Sequence, residues 1–150
     1  MKQGSLRLEI DRPVADIAGE KLVCWLAMSD DAAARALVGV CEQADFTVAS
    51  LRTVWQAVEA IVRKGESPHM INVAWTLDHW GKLDGIGGEP FLASLLSEEG
   101  TWVLGYSFLN RPEKAGEAIH RLGERRRAAL AVLNGTKPKP VRPIDDPRYS

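Results

Sequence analysis

Apolar residues recur along most of this chain at the spacing of an α-helix, and this periodicity restricts the fold more than any other feature. The clearest run lies between Leu51 and Val62, where apolar side chains fall three and four residues apart. A helix through this run gathers its apolar side chains on one face: Leu51, Val54, Trp55, Val58, Ile61 and Val62. The strict alternation that marks β-strands is scarce. The sequence therefore predicts an all-α protein.

Other segments carry the same periodicity, so we expect a compact bundle of about six helices. The predicted helices begin near Asp11, Asp30, Leu51, Met70, Glu89 and Asn110. Asp11, followed by Pro13, and Asn110 are expected N-caps, since their side chains accept bonds from the free amides of a helix start. The residues between the fifth and sixth helices, which include Trp102 and Tyr106, are predicted to form a loop.

The chain divides into three parts. Residues 1–12 form a short N-terminal segment, residues 13–134 hold the predicted helices, and residues 135–150 form a tail. The tail reads GTKPKPVRPIDDPRYS, and its four prolines remove backbone donors and fix φ. We therefore expect one helical domain followed by an extended or disordered Pro-rich tail.

Length and composition are those of an ordinary globular domain, with 150 residues of which 45% are hydrophobic and 26% charged. Cys24 and Cys41 fall on apolar helical positions, so we expect buried thiols rather than a disulfide framework. No apolar run approaches the roughly 20 residues of a membrane helix, and the N-terminus lacks a signal-peptide pattern. We expect a cytoplasmic protein with no membrane partner.

The net charge of −1 conceals an uneven distribution of charged residues. Residues 111–150 carry ten basic and five acidic side chains, whereas residues 1–110 carry nine and fifteen. A basic C-terminal third can contact nucleic acid or an acidic partner, or it can be a solvated helix face.

Three glycines in the segment GKLDGIGGEPFLASL raise the question of a phosphate site. A phosphate-binding loop places Lys and then Ser or Thr after its last glycine, between a strand and a helix. Neither residue follows Gly88, no strand is predicted before the segment, and the G-x-G-G spacing of Gly85 to Gly88 does not fit a dinucleotide site. The glycines therefore predict breaks between helices, and we expect no nucleotide cofactor.

Residues for catalysis or metal binding do not occur in a productive arrangement. His69, His79 and His120 form no His-x-x-x-His pair, and His69 is expected to start or cap a helix. Ser94 lacks the strand–turn–helix context of a hydrolase nucleophile. We expect no metal, no cofactor and no enzymatic activity.

Several short motifs follow one another in an order that is informative as a set. In chain order they are Pro13 and Glu20 before Leu22–Leu26, Asp45-Phe46-Thr47, Arg52 to Trp55, Gly65 to Pro68, Gly81-Lys82-Leu83, Gly87 to Leu95, and Asn110 opening a helix that reaches Arg125-Arg126-Arg127. This ordered set resembles the N-terminal domain of DnaB-type bacterial replicative helicases. The resemblance extends from about residue 13 to residue 130.

The resemblance implies a non-enzymatic protein-interaction module of DNA replication. Domains of this family dock primase or a helicase loader and help to assemble the helicase ring, so the implied partners are a replicative helicase, primase or loader, and a second copy of the chain. A free-standing domain of this type, encoded by a phage or plasmid, would regulate a helicase. The same resemblance would equally fit a domain of a longer helicase.

Candidate docking residues lie on the third to fifth predicted helices, between Arg52 and Leu96. They are Arg52, Trp75, Trp80 and Phe91. Trp75 is the expected anchor, because it lies beside the stripe of Met70, Val73 and Leu77 rather than within it.

The alternative is a small helical DNA-binding regulator that uses the basic last helix and the tail. The candidate phosphate contacts are Arg121, Arg125, Arg126 and Arg127. Ion pairs of these arginines with Glu117 and Glu124 are an equally good interpretation of the same charges.

Overall fold

Eight α-helices account for most of the described chain. The computed structural model describes residues 16–133, except for the side chain of Trp102. The helices are α1 (Ile17–Ser29), α2 (Asp31–Val38), α3 (Ala49–Arg63), α4 (Met70–His79), α5 (Leu83–Ile86), α6 (Gly88–Ser97), α7 (Glu99–Phe108) and α8 (Pro112–Leu133). A 3₁₀ turn at Gln43–Asp45 lies between α2 and α3, and no strand occurs within residues 16–133. The predicted all-α bundle is confirmed.

Helix α1 runs through the middle of the bundle. All residues from Leu22 to Met28 are buried, so this part of the helix is covered on every side rather than along one stripe. It packs against α2, α3, α6, α7 and α8. The two cysteines, Cys24 and Cys41, are buried free thiols, as expected.

The apolar face predicted for α3 is buried except at Val62, which is partly buried. Leu51, Val54, Trp55 and Val58 are each exposed by 1% or less. The Trp55 ring stacks on Phe46 with ring centroids 5.1 Å apart. Because Phe46 precedes α3 in the chain, this stack fixes how the chain enters the helix.

Polar side chains cap three of the helix starts. Asp16 accepts a bond from the Gly19 amide at the start of α1 (2.9 Å), and Asp30 caps α2 in the same way. The predicted cap His69 is confirmed, since its Nδ1 accepts from an amide in the first turn of α4. The expected start at Asp11, the N-terminal segment and the tail lie outside the described residues.

The prediction of a loop between the fifth and sixth helices is wrong. These residues form α7, which packs mainly against α1. Its apolar side chains Val103, Leu104 and Tyr106 are exposed, and Phe108 at its end is partly buried against the core. Its fully buried positions are Thr101 and Gly105, and because these residues are small, the periodicity of large apolar residues did not indicate the helix.

The last helix begins later than the expected cap at Asn110. Pro112 occupies the first position of α8, where its missing N–H and fixed φ suit a helix start. Asn110 lies instead in the turn after α7, which is closed by a bond from the Arg111 amide to the Phe108 carbonyl (3.0 Å).

Of the three glycines predicted to break helices, Gly87 and Gly88 form a break where α5 ends and α6 begins, whereas Gly85 lies within α5. Gly87 has φ 107° and Gly88 has φ 72°. This left-handed region is readily adopted only by glycine, so the two residues allow the chain to reverse between the helices.

We expect Gly105→Ala to destabilise the fold, because a Cβ atom at this position would overlap the Trp25 indole on α1. The ring is buried, so relief requires the core to shift, and the free energy of unfolding should fall by about 1–3 kcal/mol. Chemical denaturation followed by circular dichroism measures this change. Gly100→Ala is a matched control on the same helix, since its Cβ would meet no atom within 4 Å. Equal loss of stability in both variants would contradict the close contact of α7 with α1.

Candidate functional site

The outer side of α4 carries an exposed tryptophan. Val73, Ala74 and Leu77 are buried on the inner side, where α4 packs against α3 and α6. On the outer side, one helical turn apart, Ile71 is 55% exposed and Trp75 is 70% exposed. We call this pair the Trp75 face. The prediction that Trp75 lies outside the buried stripe is confirmed.

Trp80 marks the edge of the same surface. It follows the last turn of α4, is 40% exposed, and lies under Lys82, whose Nζ is 5.8 Å from the ring centroid. The same ammonium group donates to Oε1 of Gln56 on α3 (3.2 Å). The Trp80 ring is therefore partly exposed and makes a cation–π contact with the ammonium group of Lys82.

Two other candidate docking residues are turned inward. Arg52 donates through Nε and Nη2 to the carbonyl of Phe46, at 3.2 and 3.0 Å, and so fixes the segment that leads into α3. Phe91 is partly buried and packs against the core. Both residues support the surface from behind rather than projecting from it.

A buried carboxylate organises the contact between the 3₁₀ turn and α8. Asp45 has a fully buried side chain. Its Oδ2 accepts from the Glu42 amide and pairs with Nδ1 of His120, both at 2.8 Å, and its Oδ1 accepts from Nη1 of Arg127 at 3.0 Å. We call Glu42, Asp45, His120, Glu124 and Arg127 the Asp45 cluster.

His120 is buried between two carboxylates. Its Nδ1 faces Asp45, and its Nε2 lies 2.9 Å from Oε1 of Glu124. The hydrogen bond to Asp45 raises the pKa of His120 above its ordinary value of 6.5, with further support from the charges of Glu124 and Glu42, although burial opposes the shift. The protonated ring can donate at both nitrogens, so it links the 3₁₀ turn to α8.

Of the four arginines of α8 predicted to contact phosphate, two bond to the 3₁₀ turn and two are exposed on the surface. Arg126 is buried and donates through Nη2 to the carbonyl of Ala44 (2.9 Å), and burial lowers its pKa. Arg127 belongs to the Asp45 cluster. Arg121 and Arg125 are exposed. Half of the predicted phosphate contacts therefore serve the contact between α8 and the 3₁₀ turn.

A second buried carboxylate, from a residue distant in sequence, caps the start of α3. Glu20 on α1 is 1% exposed and accepts from the amide and hydroxyl of Thr47, at 2.8 and 2.5 Å, and from the Val48 amide at 3.2 Å. These amides lie at the start of α3, where no helical carbonyl is available to them. Glu20 therefore joins the central helix to α3.

Within residues 16–133 we find no group of three or more His, Cys, Asp or Glu side chains placed to hold a metal ion. None of the helices in that range has both the length and the apolar content needed to cross a membrane.

Comparison with known proteins identifies the family. The protein-family model for the DnaB-like helicase N terminal domain matches residues 12–102, which is more than half of the chain. The chain belongs to this family. A search of curated proteins found no significant match.

The DnaB-like fold is also recognised among solved structures. The crystal structure of the N-terminal domain of DnaB helicase from Mycobacterium tuberculosis superposes with a TM-score of 0.69 at 24% sequence identity. The match covers 82% of this chain and 81% of that chain. The similarity confirms the fold expected from the sequence motifs.

Membership of the DnaB-like family relates the chain to one particular part of a helicase. The DnaB N-terminal domain is the non-catalytic part of the helicase, and the family takes part in helicase oligomerisation and in interactions with replication proteins. The matched residues contain Glu20, Asp45 and the Trp75 face, whereas α8 lies beyond them.

Sequence reasoning missed the roles of Glu20, Asp45 and His120. The two acidic residues stood among the family motifs, and Glu20 lies two residues before the apolar run Leu22–Leu26, where a charge that becomes buried needs partners. No such signal marked His120, because its partner Asp45 is 75 residues away in sequence.

The Asp45 cluster should make stability depend on pH. Because the folded state raises the pKa of His120 above 6.5, the stabilisation is fully present below that pH and is lost as the pH rises through the folded-state pKa. We expect the free energy of unfolding to fall with increasing pH above about 6.5, and this part of the slope to vanish in His120→Gln. Denaturation measured across a pH series provides the comparison. His79→Gln, an exposed site on α4, should keep the wild-type slope, and loss of the slope there would argue against the cluster.

Proposed function

We propose that this chain is a non-enzymatic interaction module of DNA replication that docks on a replicative helicase, on primase or on a helicase loader. The observation that carries the proposal is the Trp75 face, an exposed aromatic and aliphatic pair on a helix of a DnaB-like domain. The surface extends over α3 to α6, from Arg52 to Leu96. A role in bacterial replication would place the chain in the cytoplasm.

Trp75 has the physical properties of a binding anchor. Tryptophan is enriched among the few interface residues that dominate affinity. A side chain that is 70% exposed has most of its surface still to bury against a partner. The opposite side of α4 is packed on the core, so the ring is presented by an already ordered helix and little further ordering opposes binding.

The exposed apolar end of α8 supports self-association as a second part of the proposal. Leu130 is 41% exposed, Val132 64% and Leu133 71%. Exposed apolar residues that cluster in one turn mark contact surfaces more often than isolated ones do. A second copy of the chain packed on this turn would contribute to ring assembly.

Trp75→Ala should weaken binding to the cognate helicase or primase by more than about 1 kcal/mol. The free energy of unfolding should change by less than about 0.5 kcal/mol, because the ring is on the surface. Trp55→Ala should instead remove roughly 3–5 kcal/mol of stability, since Trp55 is fully buried. Calorimetric titration with the purified partner and chemical denaturation measure the two effects separately.

Tyr106→Ala is a control for the removal of an exposed aromatic ring, since Tyr106 is 65% exposed on α7. It should leave partner binding unchanged. Equal weakening by Trp75→Ala and Tyr106→Ala, or none by Trp75→Ala, would contradict docking through α4.

A second candidate function is DNA binding through α8. Arg121 and Arg125 are exposed and one helical turn apart, so both can approach a phosphate backbone. In that case affinity for DNA should fall steeply with salt, and Arg121→Gln combined with Arg125→Gln should lower the slope of log K against log salt by about two. Binding that is steep in salt and lost in the double variant, without any helicase or primase partner, would favour this function over docking.

A further inference from the structure

Two adjoining cavities form one groove across α3. The first, of about 700 Å³, is bounded by helix α3, helix α8 and the loop that follows α2. Its lining includes residues 38–44 and His120. The second, of about 380 Å³, continues toward Trp80 and Lys82. Gln43, Glu59 and Arg63 line both cavities. We call the combined space the Glu59 groove.

Glu59 is a buried carboxylate, and one of its two oxygens accepts no hydrogen bond among the described residues. The residue is 7% exposed. Its Oε2 accepts from Nη2 of Arg63 at 3.1 Å, whereas its buried Oε1 has no hydrogen-bond partner among the described residues. Burial raises the pKa of Glu59. An unsatisfied buried acceptor is unfavourable, so a donor supplied to this carboxylate would be stabilising.

Carboxylates lie in the wall of the first cavity or bond to it. Glu42 and Glu59 line the cavity, and Asp45 bonds to His120, which also lines it. The pKa of Cys41, which also lines the cavity, is raised by burial and then by the charges of Asp45, Glu59 and Glu42. Of the cations that line the cavity, His120 is compensated by its two carboxylate partners. The other, Arg63, extends into solvent with 71% of its side chain exposed.

We propose that the Glu59 groove binds an arginine or lysine side chain carried by an extended segment of a partner protein. The cationic group enters the first cavity and donates to Glu59, and the flanking segment lies along the second cavity. There Trp80 offers an aromatic surface. The oxygen of Gln43 already accepts from Gln56 at 3.1 Å, and its amide nitrogen can donate to a peptide backbone.

Only small changes are needed to admit such a side chain. The terminal torsion of a Glu side chain is soft, so the carboxylate can turn and present the unused oxygen. The guanidinium of Arg63 is on a mostly exposed side chain, and an incoming cation can take over or share its bond to Glu59, so the carboxylate keeps a donor throughout. Arg63 can therefore withdraw or share the carboxylate. Trp75 does not line the groove. Cation binding in the groove and docking through the Trp75 face can therefore be tested independently.

The test uses blocked arginine, Nα-acetyl-arginine methylamide, titrated into the full chain and followed by backbone amide NMR shifts of residues 38–44. The citrulline analogue has nearly the same shape without the charge and is the matched ligand control. We expect saturable shifts with blocked arginine and at least about tenfold weaker binding of the citrulline analogue. Glu59→Gln should weaken arginine binding by a similar factor, and exposed Glu42→Gln by less. Glu89→Gln, an exposed carboxylate outside the groove, should bind as the wild type does.

Circular dichroism melting of each variant distinguishes loss of the ligand site from loss of the fold. If Glu59→Gln unfolds, the folded Glu42→Gln variant and the citrulline comparison still decide the question. Equal binding of the arginine and citrulline analogues, or unchanged binding in folded Glu59→Gln, would overturn the proposal. Tighter binding of putrescine than of blocked arginine would overturn the assignment to a protein segment and indicate a free polyamine.

Discussion

Two buried carboxylates hold the bundle together at its least regular part. The segment between α2 and α3 contains only a short 3₁₀ turn, so many of its amides have no helical partner and need another acceptor. Asp45 supplies one from within the turn and also receives His120 and Arg127 from α8. Glu20 supplies the other from α1, at the start of α3. Removal of either carboxylate would leave buried donors unpaired, which costs more than the bonds themselves contribute.

The close approach of α8 to the Asp45 cluster depends on a small residue. A Cβ atom at Gly123 would overlap Oδ1 of Asp45, so the helix reaches the turn only because no side chain intervenes. Once α8 is docked there, Arg126 and Arg127 become internal contacts. The basic character of the C-terminal third is therefore partly structural, which narrows the surface that nucleic acid could use.

Two surfaces outside the buried core are the ones for which we propose partner binding. In a DnaB-like N-terminal domain, where the family works through protein contacts, the exposed tryptophan of α4 and the polar groove across α3 offer two different kinds of recognition. The Trp75 face offers apolar area, and the Glu59 groove offers a desolvated acceptor for a cation. The two surfaces belong to neighbouring helices, because α3 and α4 pack on each other.

The sequence by itself determined the helical class, the buried face of α3, the cap at His69 and the break at Gly87 and Gly88. These features depend on periodicity and on backbone preferences, which act over a few neighbouring residues. Only the tertiary structure decided that α7 is a helix, because its contact with α1 uses small residues such as Gly105. It also decided the roles of the charged residues. Glu20 and Thr47 are 27 residues apart, and Asp45 and His120 are 75 residues apart. Whether a charged side chain is buried in an ion pair or exposed to solvent depends on which distant segment packs against it. The neighbouring residues in the sequence do not indicate which segment that is.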